Sequence, residues 1–436
     1  MADYEIFEGS PAKCVGTKEA YPIRTNAIKT KRLRFYLTYI ILVFLFPILV
    51  LLPLAPSIMS LYYLDEQADW YSFYYLFKTP IFAFIYILLF LVEVIILTRI
   101  FQNGVKPGQY SIYSRVYVKK WFTDQLFSLS LLVIKPIFAT VFISWVYRAL
   151  GSRVGRHTEI STATNVSHSL LDIGQESFIA DDVSIGETEI RNQELSLAMT
   201  RIGNRSFVGN SALIPQGYEL GDGMLIGVVS LPPQADQLTN ERSSDWFGSP
   251  SRPLPNREII SNYPPSLTYS PSKWRKIARG LVEFIRILIP QSIILSLSIF
   301  FIAYADDLLF EHKWTQIFLY FPLYYIGIVA IPCFVCTWLI KWIFIGRYRP
   351  AQYPMWTWEV WKTEAVTSIY EALAVPFFLE FVRGTPFLPI FLRLLGVKIG
   401  KMTYIDSTDI TEFDLVELGD NSAINFDAGP QTHLFE

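Results

Sequence analysis

The chain alternates between long apolar runs and short-period polar stretches. Residues 35–62 contain no charged side chain, and the run is longer than the roughly 20 residues that cross a hydrocarbon core. Residues 79–98 form a second such run, broken only by Glu93. Residues 287–304 and 316–340 form a third and a fourth. The pattern predicts four membrane helices arranged as two hairpins. Pro53 and Pro56 are expected to kink or end the first span. Tyr62, Tyr63, Trp70, Trp314, Trp338 and Trp342 crowd the ends of the runs, where amphipathic rings favour the membrane–water interface. Residues 126–150 and 365–395 are less uniform: the former hold Lys135 and Pro136, the latter Glu371, Glu380 and Arg383. Both read as amphipathic helices that lie in the interface or re-enter the bilayer.

Between the hairpins the period changes to six. Aliphatic residues recur as Val154, Ile160 and Val166, then Ile173, Ile179 and Ile185, then Ile202, Val208, Ile214, Leu220 and Ile226. Gly155, Gly174, Gly186, Gly203, Gly209, Gly221 and Gly227 each follow one of them. A three-sided parallel coil needs this arrangement. Each side contributes one aliphatic residue to the interior, a small neighbour permits the corner, and stacked coils share one core. The expected fold is therefore a multi-pass α-helical membrane protein carrying left-handed parallel β-helix (hexapeptide-repeat) domains. Residues 186–201 interrupt the period as a polar excursion, and such insertions often build a site.

The chain also repeats itself. Lys106–Tyr110 (KPGQY) returns as Arg349–Tyr353 (RPAQY), and Arg148, Gly151, Gly155, Ile160, Gly174 and Ile179 return as Arg393, Gly396, Gly400, Ile405, Gly419 and Ile424. A tandem duplication of hairpin, amphipathic helix and β-helix gives these boundaries: a basic N-terminal segment 1–34, hairpin 35–104, helix 105–150, β-helix 151–232, Pro-rich linker 233–275, hairpin 276–345, helix 346–395 and a short second β-helix 396–436. The second β-helix is expected to be part of a longer product or to lean on a partner, through pairing of the β-helices within the chain or through a homo-oligomer.

Charge orients the assembly. Lys and Arg concentrate before the first span, after the second, before the third and after the fourth. Asp65, Glu66, Asp69, Asp306, Asp307 and Glu311 occupy the hairpin tips. By the positive-inside bias the β-helices face the cytosol of an integral membrane protein surrounded by lipid. The net charge of −2 gives no field that favours nucleic acid. Of the cysteines Cys14, Cys333 and Cys336, two lie within an apolar run, so neither a disulfide scaffold nor a metal site is expected.

The candidate chemistry is sparse. Only four histidines occur, and histidine suits a general base near neutral pH. His312 falls in a hairpin tip, and His157 and His168 have Met402 and Phe413 as repeat counterparts. His433 lies one step beyond Ile424, beside Asp427 and Glu436. The run Ser407–Leu415 (STDITEFDL) supplies Asp409, Glu412 and Asp414. His433, Asp409 and Glu412 are the catalytic candidates. Asp414, Asn425, Asp427, Gln431, Asn210, Asp182 and Trp246 are the candidate substrate contacts, Trp246 within Ser244–Pro250 (SDWFGSP). No bound cofactor is expected.

Long segments carry a resemblance. EISTAT (Glu159–Thr164), IGQESFIADD (Ile173–Asp182), TRIGNRSFVGNSALIPQG (Thr200–Gly217), GDGMLIGV (Gly221–Val228), SDWFGSP, STDITEFDLV and DAGPQTHLFE (Asp427–Glu436) resemble the membrane-embedded terminal region of certain nonribosomal peptide synthetases, ε-poly-lysine synthetases among them. The resemblance implies hexapeptide-type acyltransferase-like condensing units. It also implies an aminoacyl or acyl thioester on coenzyme A or a phosphopantetheine carrier as donor, an amine or hydroxyl as acceptor, and a carrier or adenylation protein as partner. By resemblance, Gln431–His433 (QTH) supports His433. This chain carries neither the adenylation nor the carrier segment of that pattern. The rival expectation is a non-catalytic membrane scaffold that docks a partner or a synthetase. A transporter ranks last, because the repeats run parallel and the spans hold few polar groups.

Overall fold

The computed structural model describes residues 5–8, 12–17, 32–65, 74–164, 166–234, 244–255, 263–310, 314–426, 428–430 and 432–433. The chain divides into two compact units, one of residues 1–55 and 87–260, the other of residues 56–86 and 261–436.

Among the described residues, five helices are long and apolar enough to cross a membrane: Arg34–Ser60, Phe77–Gln102, Lys273–Phe301, Trp314–Phe344 and Trp358–Val382. They expose large apolar side chains, among them Phe44 (73%), Phe77 (83%) and Phe318 (79%). A helix that is apolar all round needs lipid or protein on every face. Residues 365–395, expected to lie in the interface, fall partly within the fifth of these helices. Its length and composition suit a crossing as well as a re-entrant loop. Residues 126–150 form no such helix; they end one helix at Ile134, pass through Lys135–Ile137 and begin another at Ile143.

In the first unit, short parallel strands stack into three sheets. Val154, Ile173, Ile202 and Leu220 stand in register on one side. Ile160, Ile179, Val208, Ile226 and Trp246 do so on the second. Ile185 and Ile214 meet on the third. Most of these side chains are buried, because the spacing that the sequence repeats is one side of a coil. Gly174 shows how tightly the coils stack: a Cβ there would lie 2.6 Å from the backbone nitrogen of Asn204. The corners use left-handed backbone at His157, Glu176 and Arg205, and again at Met402 and Asn421 in the second unit.

The polar excursion pairs away from the coil. Glu189–Arg191 and Glu194–Leu197 form a hairpin, and its second strand takes Gly108–Ser111 as an antiparallel neighbour. The excursion therefore straps the coil to the segment preceding Arg115–Ile134. The segment Asp245–Phe247 adds one more parallel strand beside Leu225–Ile226 and turns back through Arg252–Pro253.

The second unit has fewer coils. Lys398–Ile399 pairs with Glu417–Leu418, and Tyr404–Ile405 with Ala423–Ile424. Its core is shared with the helices. Phe334, Tyr370, Leu379, Leu388 and Leu392 pack with Ile405, Ile410 and Phe413. A short coil cannot bury enough apolar surface alone, and the helices supply the rest.

Candidate active site

The loop after strand Tyr404–Ile405 and the tail after Ala423–Ile424 meet in the second unit. Ile410 anchors the loop in the core with no exposure. Its N–H donates to the Thr408 carbonyl (2.9 Å), closing a tight turn. Glu412 follows with φ +38° and is 6% exposed. A left-handed glutamate costs about 1–3 kcal/mol and persists only where its surroundings hold it.

Three partners hold the Glu412 carboxylate. His433 Nδ1 lies 3.0 Å from Oε2, Thr411 Oγ1 donates to the same oxygen at 2.8 Å, and Thr432 Oγ1 donates to it as well. Thr411 and Thr432 also meet each other at 3.4 Å. Burial alone would push the Glu412 carboxyl up. The His433 hydrogen bond and charge, with the two threonine hydroxyls, outweigh burial and hold it below the usual carboxylate range. Glu412 is thus an anion at neutral pH, seated under an imidazole whose side chain is 36% exposed.

The tail reaches this position because Gly429 lets it pass. A Cβ there would lie 2.7 Å from Asp409 Cγ and 2.8 Å from the Asp409 carbonyl. Asp409 therefore borders the crossing, and its N–H donates to Ser407 Oγ at 3.1 Å. Of the three catalytic candidates, Glu412 and His433 form a direct pair and Asp409 stands beside the tail.

The remaining candidates have other surroundings. Asp414 Oδ2 lies 2.7 Å from the fully buried Lys341 ammonium and accepts from the Tyr348 N–H at 3.1 Å. Its carboxylate thus fastens the coil to the apolar helix Ile331–Phe344. The Asn425 carbonyl accepts from Ala428 N–H at 3.2 Å and turns the tail. Asp427 and Gln431 lie outside the described residues, as does His312. Asn210 and Asp182 belong to the first unit. Asn210 Oδ1 accepts from the Asp181 N–H (3.3 Å), and Asp182 is a left-handed corner whose N–H donates to Thr162 Oγ1 at 2.7 Å. Trp246, expected to touch substrate, is instead fully buried as the last interior residue of its stack. Its indole closes an apolar coil end, which is why the linker carries a tryptophan there.

His168 is buried too, at 2% exposure. Nδ1 lies 3.1 Å from Ser152 Oγ, and the ring sits edge-on to Phe127 (4.9 Å) and Tyr147 (5.0 Å). Burial, then the nearby Lys120 charge, lowers its pKa to about 3, so it is neutral and structural. Among the described residues, no group of three or more His, Cys, Asp and Glu side chains is placed to hold a metal ion.

Sequence reasoning missed Thr411, Thr432, Tyr370 and Lys341. Thr432 stands within the QTH motif and Thr411 within STDITEFDL, so their motifs were visible while their roles were not. Tyr370 lies within residues 365–395 and Lys341 directly after the run 316–340, where nothing in a single sequence marks a side chain aimed at the loop.

Over nearly all its length the chain is similar to part of a peptide synthetase. It is 38% identical to delta-poly-L-ornithine synthetase of Acinetobacter baumannii (strain AB307-0294) over 447 residues, which is 99% of this chain and 33% of that protein. The chain thus spans about a third of that relative, and the expected resemblance to a synthetase of this kind is met. No protein-family model matches. Among solved structures, a maltose O-acetyltransferase from Clostridium difficile 630 is similar at 17% identity and a TM-score of 0.21, over 39% of this chain and 89% of its own. A galactoside acetyltransferase in complex with coenzyme A is similar at 17% identity and a TM-score of 0.24, over 41% of this chain and 96% of its own.

Proposed function

We propose that this chain is a membrane-bound acyl- or aminoacyl-transfer unit in which His433 is the general base and Glu412 its orienting anion. The observation that carries the reading is the His433 Nδ1–Glu412 Oε2 contact at 3.0 Å, on a buried glutamate with left-handed backbone whose Oε2 also accepts from Thr411 and Thr432. A carboxylate on Nδ1 favours the tautomer with the proton on that nitrogen, which makes Nε2 the basic atom. Nε2 takes a proton from the acceptor amine as its nitrogen attacks the thioester carbonyl. The C–S bond then breaks, the new amide forms, and the departing thiolate receives the proton from the imidazolium. Glu412 stabilises that imidazolium and remains ionised throughout.

The similarity to delta-poly-L-ornithine synthetase supports an aminoacyl donor and an amine acceptor. A carrier-bound thioester is the donor we favour, with acyl-CoA as the simpler analogue, and a carrier or adenylation protein is the partner that would supply it. The coils are read as left-handed hexapeptide solenoids. The two units are read as a tandem duplication, a reading supported by matching contacts. Arg148 donates to the Val154 and Gly155 carbonyls as Arg393 does to those of Ile399 and Gly400. Arg99 donates to the Ala149 carbonyl where Trp342 donates to that of Leu394. The loop charges support a cytosolic placement for the coils.

The test is turnover. Purified full chain in lipid nanodiscs would receive an ornithyl or acyl thioester and an amine acceptor, with thiol release and amide product followed together. His433→Ala is expected to lose about 10²–10⁴-fold in rate. Unchanged product formation in that variant would remove the assigned base.

A further inference from the structure

The helix Trp358–Val382 is apolar enough for a membrane, yet its middle is not regular. Residues Tyr370–Leu379 are π-wound and contain Pro376. The helix Trp314–Phe344 carries a π-wound segment of its own at Tyr325–Ala330. Wider winding loosens the i→i−4 ladder and re-aims the side chains that follow, and in a membrane the freed carbonyls need partners. One is found: Tyr325 Oη donates to the Phe377 carbonyl at 3.0 Å.

Tyr370 opens the longer π segment and is 1% exposed. Its hydroxyl donates to the Thr408 carbonyl at 2.8 Å, the same carbonyl that closes the turn with Ile410. Its ring stands edge-on to Phe413 at 5.1 Å. Thr408 and Phe413 bracket the residues that end in Glu412, so one side chain grips the carboxylate loop at both ends. The first unit supplies an internal comparison. There Phe127 meets His168 as Tyr370 meets Phe413, and Ser167 stands where Glu412 stands. The hydroxyl grip and the carboxylate occur together in one unit and are both missing from the matched positions of the other.

We infer that Tyr370 is a positioning residue: through the Thr408 carbonyl and the Phe413 ring, the π-wound helix holds Glu412 under His433. The inference rests on the Glu412–His433 pair as the chemical site, and it gives the membrane helix a part in the chemistry beyond anchoring.

The test reads the imidazole directly. Full-length protein with ¹⁵N-labelled histidine, in nanodiscs at neutral pH, is compared with Tyr370→Phe, with His433 assigned by its loss in His433→Gln. The wild type is expected to show His433 as the Nδ1–H tautomer, and Tyr370→Phe a mixture in which Nε2–H predominates. A thermal-unfolding midpoint and near-ultraviolet circular dichroism spectrum like those of the wild type report that the variant is folded. A Tyr370→Phe spectrum with the wild-type His433 tautomer would overturn the inference. If Tyr370→Phe does not fold, Tyr325→Phe, which frees the π segment at its other tie, is expected to move the tautomer the same way, and an unmoved tautomer there overturns it equally. In turnover, Tyr370→Phe is expected to lower kcat about 10–100-fold with KM unchanged. Absence of transfer in the wild type would sink the acyl-transfer reading while leaving the tautomer result to decide the positioning role.

Discussion

At the scale of single residues, the site is a buried anion with a half-exposed base above it. Glu412→Gln keeps the shape and removes the charge, so its cost in turnover should approach that of losing His433, about 10²–10⁴-fold, with little change in KM. The same carboxylate predicts a pH effect. Its folded pKa lies below the ordinary value, so its stabilising contribution is complete above that value and is lost as pH falls through the folded one. Hydrogen exchange at the Ala428 and Gly429 amides should therefore quicken only in acid below the usual carboxylate range, and Glu412→Gln should abolish the step. His168 gives a second window. Its pKa falls to about 3, so the unfolded chain binds the extra proton first, and the first unit should lose stability as pH drops from about 6.5 toward 3. His168→Phe, which copies Phe413, should flatten the pH dependence of thermal unfolding over that range; a profile identical to wild type would show that His168 does not carry it.

At the scale of elements, the six-residue period was legible because it is a packing rule. An aliphatic residue at each coil side can be read from one sequence, and those residues do stand opposite one another. Gly174→Ala should destabilise the first unit by about 1–3 kcal/mol, since the added methyl meets backbone rather than a side chain that can turn away. A Tm within a degree of wild type would contradict that packing. Other elements were not legible. The strand pairing of Gly108–Ser111 with the excursion joins segments far apart in sequence. The closing of the coil by Trp246 was not legible in the linker motif Ser244–Pro250, because no local period marks a capping strand. The carboxylates of Ser407–Leu415 were visible as charges. Which one faces His433 and which faces Lys341 depends on a left-handed turn at Glu412 that no spacing rule reports.

At the scale of the whole molecule, buried charge and the membrane set the terms. Arg279 pairs with Glu283 at 2.6 Å and reaches Glu364 at 3.5 Å, all within the second unit. Lys341 and Asp414 tie a helix to the coil at 2.7 Å. Removing one member of such a pair leaves a buried charge, so Asp414→Asn should cost about 3–5 kcal/mol, measured by denaturation in detergent. Sidedness is tested by labelling single cysteines at exposed Arg201 and Lys398. The loop charges predict that both react from the side that carries the basic N-terminal segment. Reaction from opposite sides would make Trp358–Val382 a full crossing. The central claim, aminoacyl transfer at the Glu412–His433 pair, is met most directly by single-turnover transfer from an ornithyl thioester to an amine in nanodiscs. The account predicts amide product matched by free thiol in the wild type and a loss of both in His433→Ala and Glu412→Gln. Product at the wild-type rate in either variant would contradict it.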